Sequence, residues 1–336
     1  MEIKIAVHIP SQCAYSIRNY IDNVLKRLVT CVEFYRFESI KQSEELNEVV
    51  DIFWFPYCTG GSSPYLRFLR ILNKKIVITL HGAAPFSLLP KVYYPSFKTA
   101  LRCELIKYIS FIKWQNYKKI TNKIITVSKF AKKELSAKLK IPPDKIQPIY
   151  HGVDTSLFKP ANQRVLKDKK YLLHISQYQP KKNVDRIVKA YKKLHNPKPN
   201  LVLIVPGYKK NIRDKNIILI KNPKQSEELV KFYQEAAFFI FPSLHETFGM
   251  PILEAMACGC PVITSNITGC AEIAGNAALL VGPYSVEQIA EAMQRLIEDF
   301  QLRRKLYERG MEKIKQFTWD NSAAEHLKIF KEVMNL

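Results

Sequence analysis

Short runs of β-branched and aromatic residues alternate with helix-patterned stretches along all 336 residues, which limits the chain to few folds. In the first half, strand-like runs stand at Lys4–Ile9, Val50–Phe55, Ile76–Thr79 and Lys123–Val127. Helix-like stretches such as Ile17–Leu28 and Lys98–Lys119 separate them. In the second half, strands fit Tyr171–Ser176, Leu201–Val205, Ile217–Ile220, Phe238–Phe241 and Pro261–Thr264. Helices fit Asp185–Leu194, Ser226–Ala236, Pro251–Ala257 and Val286–Phe300. The expected class is α/β, with two doubly wound parallel sheets. Asp154–Lys170 has linker composition, so the expected domains are residues 1–155 and 165–318. A last helix over Trp319–Leu336 follows once the second set of strands is complete.

The chemistry concentrates in Phe241–Val262, FPSLHETFGMPILEAMACGCPV. A strand ends, a loop carries Glu246, Thr247, Phe248, Gly249 and Met250, and Pro251 is expected at the first helical position, where its missing N–H costs nothing. Unpaired N–H groups and the helix dipole favour an anion there, and Gly249 lets backbone approach it closely. Glu246 and Glu254 stand eight positions apart around that point. Two isolated acids would read as solvated surface charges; within the pattern E-T-F-G-M-P-x-x-E-A-x-A-x-G-x-P-V they suit a nucleoside-diphosphate sugar. Its phosphates need N–H donors and its hydroxyls need acceptors.

This window resembles the E-x(7)-E motif of retaining glycosyltransferases with the GT-B fold, the group 1 or family 4-like enzymes. The resemblance spans nearly the whole chain. It implies two Rossmann-like domains facing across a cleft, the donor held mainly by the second, and a C-terminal helix returning to the first. Glu246 then matches the carboxylate that contacts the transferring sugar, and Glu254 the one that holds the ribose. Thr247, Phe248, Gly249 and Met250 match the turn that meets the donor. SQYQPKKNVDRIVKAY, from Ser176, resembles the family's phosphate-binding segment, with Lys181 and Lys182 as its basic pair, although Ser176 stands where glycine is common. His81, closing the strand in ITLHG, matches an active-site histidine, with Gly82 beside it. Ser128 in TVSKFAKKEL and Ser16 near the first helix match the acceptor side of the cleft, Ser16 without the usual glycine-led loop.

The implied activity moves a hexose from a UDP- or GDP-linked donor to an acceptor hydroxyl with retention, in cell-surface polysaccharide or glycolipid synthesis. The acceptor would be a saccharide or a lipid-linked sugar. Glu246, His81 and Lys182 are the expected catalytic residues. No Asp-x-Asp occurs, so a metal-independent reaction without cofactor is expected, the lysines serving as counter-charge. A GT-B-like nucleotide-sugar epimerase is the nearest alternative. The absence of G-x-G-x-x-G and of G-x(4)-G-K-[ST] argues against dinucleotide oxidoreductases and P-loop enzymes.

Charge is the loudest feature of composition. The chain carries a net +22, and residues 52–147 hold 18 Lys or Arg against three acids, Glu104, Glu134 and Asp144. Such a field attracts polyanions. No nucleic-acid recognition motif accompanies it, so a basic nucleic-acid-binding protein is the weaker alternative. An anionic membrane surface, met through residues 97–140, is the expected partner. Leu101, Leu105, Tyr108 and Ile112 are spaced for one helical face. Lys98, Arg102, Lys107, Lys113, Lys118 and Lys119 fall largely elsewhere, interleaved with Phe111, Trp114 and Tyr117. A core-packed helix with a solvated charged side would show the same pattern. MEIKIAVHIP reads as a strand rather than a signal peptide, and the seven cysteines lack metal-site spacing and read as reduced core residues. The expected location is the cytoplasm, peripheral to the inner membrane face.

Overall fold

The computed structural model describes residues 3–11, 13–59, 69–88, 97–161, 171–222 and 226–336, with the backbone alone at 97–103, 106 and 226. The later part of the expected linker, 162–170, lies outside that set. Among the described residues, one compact unit gathers those up to 88, 97–152 and 318–336, and the other gathers 153–317.

The first unit contains strands β1 (Ile3–His8), β2 (Val32–Phe37), β3 (Ile52–Cys58), β4 (Lys75–Leu80), β5 (Lys123–Thr126) and β6 (Ile146–Pro148). Its helices begin with α1 (Tyr15–Leu28), α2 (Ile40–Leu46), α3 (Ala84–Ser87), α4 (Phe97–Ile120) and α5 (Lys129–Leu139). The strands form one parallel sheet in the order β2-β1-β3-β4-β5-β6. The second unit contains β7 (Tyr171–Ile175), β8 (Asn200–Ile204), β9 (Ile217–Ile220), β10 (Ala236–Phe241), β11 (Val262–Ser265) and β12 (Ala278–Val281). Its helices are α6 (Val184–Lys192), α7 (Ser226–Glu235), α8 (Met250–Ala257), α9 (Thr268–Ala274), α10 (Val286–Glu298) and α11 (Phe300–Ile314). These strands form a parallel sheet in the order β12-β11-β10-β7-β8-β9, the doubly wound order that reverses direction between β7 and β10. The last helix, α12 (Trp319–Met334), belongs to the first unit and packs on α1, as the α/β reading with a returning helix expects.

The two-residue period of a strand sorts the first sheet's side chains. Ile52 and Trp54 face one layer with Tyr20, Val24, Trp319 and Phe330. Phe53 and Phe55 face the other, with Trp114, Tyr117 and Leu135. Burying each such aromatic or aliphatic side chain stabilises the unit by about 1.5–3 kcal/mol. The first layer also carries a polar thread whose direction follows from its donors. Trp54 Nε1 donates to Thr79 Oγ1 at 3.0 Å, and Thr79 and Tyr20 hydroxyls meet at 3.1 Å. Tyr20 in turn reaches His326 Nε2 at 2.6 Å, while His326 Nδ1 donates to the Ser322 carbonyl at 2.7 Å. With Nδ1 donating, neutral His326 must accept at Nε2, so Tyr20 donates to it and accepts from Thr79. Four donors thereby point one way from β3 through β4 and α1 into α12.

On α4 the aromatic residues interleaved with the cations are the ones that pack inward. Trp114 and Tyr117, expected among the cations, are fully buried against each other, ring centroids 5.1 Å apart. Leu105, Tyr108 and Ile112, read as spaced for one helical face, are exposed. The bulkier aromatic side of the helix fills the layer beside Phe53 and Phe55, and the aliphatic side is turned out. The side chains of Lys98, Leu101 and Arg102 lie outside those described.

Candidate active site

Both residues of the strongest pair in the second unit stand where its strand order reverses. In open α/β sheets, ligands bind outside the carboxyl ends of the strands at this point. After β7 the chain makes a single 3-10 turn, Pro180–Lys182, started by a proline whose fixed φ suits it. Asn183 closes the turn in the left-handed region, φ 67°, which its short polar side chain tolerates. Its buried amide donates to the carbonyls of Pro242 at 2.9 Å and Pro283 at 2.6 Å. The junction after β7 is thus tied to the loops that follow β10 and β12. The Leu244 N–H adds a bond to the Lys181 carbonyl at 2.8 Å.

This scaffold brings Lys182 Nζ to 2.6 Å from Glu246 Oε1, with the two side chains only 15% and 12% exposed. Lys182 also lies 5.0 Å from the centre of the Phe241 ring. Burial alone would raise the Glu246 carboxyl. The charges of Lys182 and Lys181, with the hydrogen bond from Lys182, outweigh burial and hold it below its ordinary value. Glu246 is therefore an ionised acceptor beside two cations.

Beneath the pair, His174 Nδ1 donates to the Ile240 carbonyl at 2.7 Å, so its Nε2 accepts from Ser176 Oγ at 2.8 Å. Burial pushes the imidazole down to about 4, so it stays neutral and its tautomer is set. Ser176, at the position where a glycine is common, is 6% exposed and directs its proton into the fold.

Gly249 precedes α8 with φ 103°, a conformation that L side chains rarely adopt. Met250 is the first residue of that helix, so Pro251 takes its second position rather than the first. Phe248 turns its ring inward against Phe317, centroids 6.0 Å apart, and leaves only backbone to face a ligand. Glu254 sits one turn into α8 and accepts from the Tyr233 hydroxyl at 3.2 Å. Burial pushes its carboxyl up to about 7, against that hydrogen bond, which favours the charged form.

Two further residues shape this loop and were not singled out by the motif. Thr268 has φ 63°, a strained conformation for a β-branched residue that costs about 1–3 kcal/mol. Its hydroxyl accepts from the Glu246 N–H at 3.3 Å, and the Gly269 N–H reaches the Glu246 carbonyl at 2.8 Å. A Cβ on Gly269 would fall 2.5 Å from the Thr247 carbonyl oxygen. The start of α9 therefore clamps the backbone of Glu246 and Thr247. The sequence signal for it is a lone Thr-Gly after β11.

In the first unit, His81 follows β4, with Nε2 donating to the Pro56 carbonyl at 2.7 Å. Burial lowers its imidazole to about 4, against that bond, so it is neutral and Nδ1 is the acceptor. Its ring meets Tyr20 at 5.2 Å and His151 at 5.8 Å. Gly82 has φ 142°, and the next N–H, of Ala83, donates to buried Glu134 at 2.9 Å. Ser128 is fully buried and its oxygen caps α5 by accepting from the Ala131 N–H at 2.9 Å. Expected on the acceptor side, that side chain serves the fold. Ser16 is exposed in the first turn of α1.

Residues 157–313 match the family glycosyl transferases group 1, and residues 42–157 match glycosyltransferase family 4. The chain belongs to the group 1 glycosyltransferases. It is 29% identical over 228 residues to an O-antigen chain mannosyltransferase of Escherichia coli, covering 62% of this chain and 60% of that one. The chain thus spans about 60% of the length of that curated relative. The fold is shared with a glycosyltransferase from Rickettsia africae, at TM-score 0.73 and 19% identity over 99% of both chains. An Anabaena protein crystallised with UDP and glucose matches at TM-score 0.70 and 14% identity, over 98% of this chain and all of that one. These are GT-B structures, and this group 1 glycosyltransferase has their architecture of two parallel α/β units.

Proposed function

We propose that this group 1 glycosyltransferase moves a hexose from a UDP- or GDP-linked sugar to an acceptor hydroxyl, retaining the anomeric configuration and using no metal or organic cofactor. The acceptor is a saccharide or lipid-linked sugar of the cell surface. One observation carries the reading: the buried Lys182–Glu246 pair at the point where the second sheet reverses its order. In the transfer, the bond from the anomeric carbon to the diphosphate oxygen breaks. A bond to the acceptor oxygen forms on the same face, the acceptor proton passes to the departing phosphate, and a nucleoside diphosphate leaves. Lys182 and Lys181 stabilise the charge that grows on that phosphate, the type of electrostatic support that dominates many enzymes. Glu246, held ionised, accepts from hydroxyls of the transferring sugar, and Glu254 accepts from the ribose. The backbone of Gly249 and Met250 meets the phosphates at the start of α8. Neutral His81 offers Nδ1 to a substrate hydroxyl rather than supplying a proton.

The E. coli relative is by its name an O-antigen chain mannosyltransferase, which makes mannose the first donor sugar to try. The Anabaena structure holds UDP and glucose and supports a nucleoside diphosphate as the leaving group. A screen of UDP- and GDP-sugars by thermal shift tests the donor, since ligand at one hundred times its Kd adds about 2.7 kcal/mol. Transfer to an acceptor, with proton NMR of the new linkage, tests the reaction. Stabilisation by no nucleotide sugar would sink the proposal, and an inverted linkage would remove retention.

A further inference from the structure

We propose that the outer face of α4 is a reversible docking surface for an anionic lipid bilayer. Leu105, Tyr108, Ile109 and Ile112 recur at helical spacing on that face and are 63%, 65%, 44% and 46% exposed. On the opposite side Ser110, Trp114 and Tyr117 are buried, so the helix is fixed to its unit and cannot roll its apolar stripe inward. A contiguous apolar stripe of this kind marks an interaction surface rather than scattered exposure. Lys113 and Lys119 are exposed on the same helix. Lys107 and Lys118 are occupied within the fold, by Glu104 at 2.6 Å and by the Lys140 carbonyl at 3.1 Å, so among the described side chains of α4 the cationic contact falls to Lys113 and Lys119.

The occupant follows from charge and polarity together. Residues 52–147 carry 18 cations against three acids, so the field of this stretch of chain favours an anion. A second copy would bring net +22 against net +22 and be repelled. Nucleic acid would satisfy the lysines and leave the stripe in water. An anionic bilayer takes both, with the stripe at the headgroup–acyl boundary and the cations at the phosphates. No described helix is long and apolar enough to cross a membrane, so the contact is with the surface.

Flotation of the full chain with vesicles of phosphatidylcholine, with and without phosphatidylglycerol, tests this at low and high salt. Binding should be at least about tenfold stronger with phosphatidylglycerol and fall at high salt. Leu105→Ser/Ile109→Ser/Ile112→Ser should lose about tenfold, as should Lys113→Glu/Lys119→Glu, each with an unchanged unfolding midpoint. Equal binding to both vesicles, or full binding by either variant, overturns the proposal. So does a dimer in sedimentation velocity that the triple-serine variant separates, because the stripe would then belong to a second copy.

Discussion

The carboxyl end of the first sheet gathers neutral histidines, whereas that of the second holds an ion pair above neutral His174. In the first unit, His81 after β4, His151 after β6 and His326 on α12 are neutral, each lowered chiefly by burial. After β7 and β10 in the second, Lys182 and Glu246 keep their charges by pairing at 2.6 Å. An imidazole can shed its proton cheaply near neutral pH, so removing the charge is the easy solution for a histidine. Lysine and glutamate ordinarily titrate far from neutrality, so pairing is the easier solution for them. The first region suits hydroxyl recognition by ordered, uncharged groups. The second suits a diphosphate.

The largest effect should come from breaking the charged region. Lys182→Ala should lower turnover by about 10²–10³-fold, as removal of a preorganised charge stabiliser does. Glu246→Ala should cost a similar factor in kcat rather than KM, because sugar contacts tighten as charge develops. Each single variant also leaves a largely buried charge alone, destabilising the fold by about 3 kcal/mol. Lys182→Met/Glu246→Leu should recover most of that stability and none of the activity. Recovery of both by the double variant would show the pair to be structural.

Acid should strike the neutral region next. The folded values of His81 and His326, about 4, lie below the ordinary 6.5. The unfolded chain therefore takes up protons first as pH falls. Their contribution is whole above about pH 6.5 and is lost progressively as pH falls to about 4. It amounts to roughly 3 kcal/mol for each histidine. Imidazole proton shifts should stay flat from neutral pH down to 5 for these two residues. A midpoint near 6.5 for either would erase the contrast.

Glu254 sharpens the comparison from the other side, since burial acts on it without a cation to oppose it. Its folded value of about 7 lies above the ordinary 4.5, so its stabilising contribution is present below pH 4.5 and lost as pH rises through 7. Glu254→Gln should remove that slope and weaken donor nucleotide about tenfold, mainly in KM. Calorimetry in two buffers near pH 6.5 should show proton release on donor binding, because ribose hydroxyls favour the carboxylate. Proton uptake would refute the assigned contact. The smallest effect should follow chelation: excess EDTA should change the rate less than about twofold if the lysines are the sole counter-charge. A tenfold loss restored by manganese or magnesium would end that assignment.

Much of this was legible in the chain. Central strands such as Ile52–Cys58 and Ala236–Phe241 are continuous apolar runs because both faces are covered. Three edge strands were not read: Val32–Phe37, Ile146–Pro148 and Ala278–Val281. Edges meet solvent, so Glu33 and Arg36 interrupt the first, and Pro148 is tolerated in the second. In the candidate site, the Lys-Lys-Asn step and the two glutamates were visible as residue types at fixed spacing. Thr268 and Gly269 were not, because their role is a backbone approach between loops 22 residues apart in sequence.

Local sequence determined the alternation of strands and helices, the glycine turn before α8 and the family pattern, since each depends on neighbours along the chain. Tertiary structure decided which side of α4 is buried, because its aliphatic and aromatic faces are both apolar and only the shape of the layer over Phe53 and Phe55 chooses between them. It also decided which groups are charged. A histidine, a lysine and a glutamate read alike in sequence whether paired or not. Burial and the partner a few ångströms away set their protons.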